Sequence, residues 1–125
     1  MLRKYYDSII ITSGGHIISI LFTCHNISYS FLISICTISS LFWHLHHEDY
    51  NIYFYLDYIL SIILATYEII YCQIFYLAFY LNLTLFLFNK ITDFFAKKKI
   101  LNYEVGHSFF HIFSVLKTII ISYFI

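Results

Sequence analysis

The chain has 125 residues, of which 61% are apolar, 22% aromatic and only 11% charged, and its formal net charge is zero. A soluble domain carries roughly 25% charged residues, and a chain this short has no core large enough to hide so much apolar surface from water. Composition therefore excludes a soluble globular domain and predicts a single all-α, multi-pass integral membrane domain in contact with lipid, while the few clustered basic residues leave no footprint for nucleic acid.

Proline is absent and glycine occurs three times, while Ile, Phe and Tyr abound. That bias is what an AT-rich genome produces, so the aromatic richness is not itself a functional signal. Cys24, Cys36 and Cys72 stand singly, without CxxC spacing, and read as buried free thiols.

In chain order, Met1 to Asp7 is a polar lead with Arg3 and Lys4. Residues 8–24 form a first apolar run, interrupted by Ser13-Gly14-Gly15-His16. It reads as an uncleaved signal anchor, because no small-residue cleavage site follows, and its glycine pair suits a kink or close helix packing. A second run, 27–44, has a hydroxyl-bearing face of Ser34, Thr37, Ser39 and Ser40 and ends in the polar stretch His44 to Asn51. From Tyr53 to Phe88 the chain is almost continuously apolar. One helix of that length would measure about 54 Å against a hydrocarbon core of roughly 30 Å, so the run is divided near Tyr71-Cys72-Gln73 into spans 53–71 and 73–88. Residues 89–105, with Lys90, Lys97, Lys98 and Lys99 among Phe94, Phe95, Ile100 and Leu101, suggest an interfacial amphipathic segment. A last run, 107–125, is broken by Lys117.

Five spans put six of the seven Lys and Arg residues on one side, as the positive-inside rule expects. The same alternation carries His44, Asp57, His107 and His111 to one leaflet. His107 and His111 are four apart, so both imidazoles lie on one helix face, the spacing with which a helix offers two ligands to a metal. Ser40 and His44 repeat that spacing, and Asp57 enters the next span. Three imidazoles with one open position suit a catalytic zinc, which lowers the pKa of a water that Asp57 would hold or deprotonate.

The order Ser40-x-x-x-His44, Leu56-Asp57-Tyr58 and His107-x-x-x-His111 resembles the CREST superfamily, membrane hydrolases and receptors that include the alkaline ceramidases and the progestin and adipoQ receptors. The resemblance implies zinc ligands at His44, His107 and His111, with Ser40 and Asp57 as catalytic polar partners. It also implies hydrolysis of a lipid amide or ester. The chain would be a shortened form, since the family has seven core spans.

Other readings of the same residues stand beside this one. His46, ten intervening residues and Asp57-Tyr58 resemble the haem and quinone segment of the small succinate dehydrogenase membrane anchor. That resemblance implies haem b at His46, ubiquinone near Tyr58 and a place in respiratory complex II of the mitochondrial inner membrane. An accessory subunit of a larger membrane complex is a third alternative. Structurally, His107 and His111 would bond between helices, Asp57 would cap its helix, and His16, His25 and His47 would be interfacial anchors. Glu68 lies mid-span, with Lys117, a histidine or a polar cavity as its candidate partners.

Overall fold

The computed structural model describes residues 7–125, which form six helical segments: α1 (Ser8–Gly14), α2 (His16–Thr23), α3 (Ile27–Leu45), α4 (Ile52–Tyr71), α5 (Phe75–Lys97) and α6 (Tyr103–Ser122). Among the described residues there is no strand. The basic pair Arg3 and Lys4 lies outside them.

Short polar side chains set where most of these helices begin. Asp7 caps α1, Asn26 caps α3, Asn51 caps α4 through two backbone amides, and Asn102 caps α6. Each satisfies donors that the first turn leaves orphaned, at about 1 kcal/mol apiece. Asn51 thus takes the capping role considered for Asp57, which sits inside α4 instead. α1 and α2 are limbs of one bent rod. At the bend the amide of Gly15 bonds the carbonyls of both Ile11 and Thr12 at 3.1 Å, and a Cβ there would stand 2.9 Å from the Thr12 oxygen.

The result is an all-α bundle of five rods arranged as a closed ring. The bent rod packs against α3 and α6, α3 lies along α4, α4 touches α5, and α5 lies along α6. Four of the rods, α3 to α6, are long and apolar enough to cross a membrane. The bent rod is shorter, about 24 Å over residues 8–23.

Two boundaries depart from the sequence expectation. The division of 53–88 falls at Cys72, as the length argument requires, and the amide of Gln73 there bonds the carbonyl of Phe124 at 2.7 Å. But 89–97 is not a separate amphipathic segment. It continues α5 without a break, because neither Gly nor Pro interrupts it and Thr92 is buried against α6 at Gly106, where a Cβ would meet Thr92 Cβ at 3.1 Å and Leu101 Cδ2 at 2.8 Å. The helix stops at Lys97, followed by Lys99 in the left-handed region (φ 58°). α6 accordingly starts a turn earlier than His107. Cys36 and Cys72 are buried free thiols, whereas Cys24 is exposed.

Polarity is distributed inside out. Among the described residues nine apolar side chains are buried against fifteen polar or charged ones, while Ile, Leu, Phe and Tyr crowd the outer surface. The interior therefore holds together by hydrogen bonding as much as by apolar packing. Glu68 is its most demanding member, with no exposed surface. Its carboxylate accepts from Lys117 Nζ at 2.6 Å, Asn82 Nδ2 at 2.9 Å and Tyr29 OH at 2.7 Å, and Lys117 also donates to Asn82 Oδ1 at 3.1 Å. Four helices, α3 to α6, are thereby tied at one carboxylate. Of the candidate partners, Lys117 is the one found.

Removing one member of a buried ion pair strands the other, at a cost of about 3 to 5 kcal/mol, whereas replacing both can be nearly neutral. Lys117→Ala should therefore lower the thermal unfolding midpoint in detergent far more than Glu68→Gln combined with Lys117→Met. Equal losses would show that the knot contributes no specific pairing.

Candidate metal centre

Toward the other end of the bundle, the end of α3 and the start of α6 approach through side chains. His44 occupies the last turn of α3. His107 and His111 follow Gly106, whose lack of a Cβ lets the start of α6 lie close against Thr92 of α5. His44 Nε2 and His111 Nε2 are 2.9 Å apart, and the three ring centroids of His44, His107 and His111 are each 4.9 Å from the next. All three rings are buried, at 0%, 6% and 3% exposure.

One nitrogen from each of the three lies within 4.8 Å of the others, so the group could hold a metal ion. The donor set fits a tetrahedral ion. Zinc bonds imidazole at about 2.0–2.1 Å, which places two ligand nitrogens about 3.3 Å apart. The His44–His111 pair, at 2.9 Å, would open by a few tenths of an ångström to reach that value.

The hydrogen bonds also fix which nitrogen faces inward. Glu48 Oε1 lies 2.8 Å from His44 Nδ1, and because a carboxylate only accepts, Nδ1 donates, which leaves Nε2 as the nitrogen facing the centre. The contact between His44 Nε2 and His111 Nε2 is a hydrogen bond in which one of the two nitrogens carries the shared proton. An ion would replace that proton.

Around the imidazoles stands a collar of aromatic rings. Tyr103 stacks on His107 at 5.1 Å, Phe110 lies 5.3 Å from it, and Trp43 contacts both His44 (5.0 Å) and His107 (6.5 Å). Trp43 is itself held by its indole N–H, which donates to the Asp49 carbonyl at 3.1 Å.

Ser40 lies one turn before His44 on α3, where its hydroxyl accepts from Ser13 Oγ at 3.3 Å and stands in hydrogen-bonding reach of the Asp57 carboxyl. Asp57 is half-buried and is not one of the three clustered donors; its partner Ser40 lies one turn before His44 on α3. His46 and Tyr58 are placed elsewhere. His46 caps α3, with Nδ1 bonded to the Phe42 carbonyl at 2.7 Å and its ring stacked on Tyr53, while Tyr58 is exposed on α4 against Phe54.

Of the three histidines expected at the interface, His25 and His47 are exposed, but His16 points at the centre, with its ring edge-on to His111 at 6.1 Å. Glu48 was not foreseen as a site residue. Its position four after His44 carried the same signal that Ser40 and His44 gave. It acts through a turn rather than through helix, since α3 ends at Leu45 and both His47 (φ 57°) and Glu48 (φ 58°) are left-handed, at a cost of roughly 1 to 2 kcal/mol each.

His111→Ala removes the hydrogen bond to His44 and one of three donors, leaving a void in a buried site. It should lower the unfolding midpoint by the equivalent of about 1 to 3 kcal/mol in metal-free protein. An unchanged midpoint would mean that the two rings are not in contact.

Comparison with protein-family models, with curated proteins and with solved structures finds no match.

Proposed function

We propose that the chain is a multi-pass membrane protein that binds zinc through His44, His107 and His111 and hydrolyses an amide or ester bond of a lipid. The observation that carries this reading is the convergence of three buried imidazoles, from two helices that are not neighbours in the ring, within 4.8 Å of one another. Ionisable side chains gathered inside membrane-length apolar helices are costly to bury and mark a candidate site. The apolar exterior of four membrane-length helices supplies the lipid setting.

When bound, zinc lowers the pKa of water towards 7 and polarises a carbonyl. The chain's own groups would do the rest. Asp57, bonded to Ser40 one turn before His44, would be the acceptor for the proton released when water attacks. Ser40 would orient that carboxyl. Trp43, Tyr103 and Phe110 shield the imidazoles from bulk water, so that attack is directed at the bound carbonyl. Apolar helix faces receive the acyl chain.

Metal analysis of the purified protein tests this directly. About one zinc per chain is expected, lost in His111→Ala. Asp57→Asn should keep the zinc and slow hydrolysis of a lipid amide or ester by about 10²- to 10⁴-fold. Protein that folds but retains no zinc, or that shows a haem Soret band dependent on His46, would contradict the proposal.

A further inference from the structure

We propose that Glu48 is the positioning residue of the three-histidine centre: its carboxylate, folded back over the end of α3, holds the His44 ring so that Nε2 presents its lone pair to the metal. This rests on the metal reading above and adds a residue to it.

Geometry is the first ground. Glu48 Oε1 is 2.8 Å from His44 Nδ1, and the two side chains are 13% and 0% exposed, so this is no solvated surface pair of the kind that helix ends often carry. Both nitrogens of His44 are thereby assigned, one to Glu48 and the other to the centre. A ligand imidazole usually donates its second N–H to a carboxylate or carbonyl, which fixes the tautomer and raises the basicity of the ligating nitrogen.

The backbone is the second ground. A helix commonly ends on a single left-handed residue, usually glycine. Here two successive residues with full side chains, His47 and Glu48, adopt that conformation. The turn is pinned by the Glu48 amide to the Trp43 carbonyl at 3.2 Å, and by the Trp43 indole to the Asp49 carbonyl at 3.1 Å. Strain of this kind persists where the surroundings over-determine it, commonly at functional sites. What the strained turn achieves is the return of the Glu48 carboxylate to His44.

The test uses the full chain in detergent, with zinc affinity read by chelator competition and ligand geometry by the visible spectrum of the Co²⁺-loaded protein. Glu48→Ala should weaken zinc binding about 10- to 100-fold and shift the Co²⁺ bands. Glu48→Gln keeps a neutral acceptor on the Nδ1 proton and should fall between Ala and wild type, a graded rescue that a merely structural role does not give. His47→Gly relaxes the turn while leaving the carboxylate and should keep wild-type affinity. If wild type binds zinc and both Glu48 variants bind it equally well with unchanged Co²⁺ spectra, the positioning role is overturned and the metal centre stands. If folded wild type takes up neither ion, the centre itself falls, and this role with it.

Discussion

Two helices that are not neighbours in the ring, α3 and α6, are joined across it by side chains alone, and the hydrogen bond between His44 and His111 is the link at the end where the imidazoles gather. Every part of the candidate site depends on that crossing. His107 belongs to the group because it lies one turn before His111, and Ser40 approaches because it lies one turn before His44. The bent rod lies between α3 and α6, which brings Ser13 to Ser40 and His16 to His111.

The two polar centres of the bundle are chemically opposite. Around Glu68 a full negative charge meets a full positive one, and three donors from three other helices saturate the carboxylate. Such a centre has no valence left to offer a ligand, and its role is to fix how α3 to α6 meet. At the histidine end three imidazoles turn ring nitrogens towards each other, and the Glu48 carboxylate is paired with one of them. A cluster of converging ring nitrogens could hold a metal ion. One bundle thus carries a saturated ion-pair knot at one end and a group that could hold a metal ion at the other.

The sequence revealed the helical class, the number of rods and the division at Cys72, because these follow from composition and from the length a helix can usefully have. It also placed His44, His107 and His111 together, since alternating rods carry their ends to one side. Local chemistry was harder to read. Nothing between Asn89 and Lys97 distinguishes a lysine-rich helix end from an interfacial segment except the packing of Thr92 against Gly106, a contact remote in sequence. His16 reads as an ordinary interfacial residue until the bend at Gly15 is known to lay its rod between α3 and α6. Glu48 was hidden for another reason. Its spacing from His44 was visible, but only the left-handed turn at His47 and Glu48 makes that spacing meaningful beyond the end of the helix.

The central claim is that three imidazoles share one ion. X-ray absorption at the zinc edge on the purified, metal-loaded protein reads the first coordination sphere without reference to any substrate. The account predicts three nitrogen neighbours at about 2.0–2.1 Å with imidazole outer-shell scattering and one lighter oxygen neighbour. A sphere dominated by sulfur, or by oxygen with no imidazole signature, would contradict it.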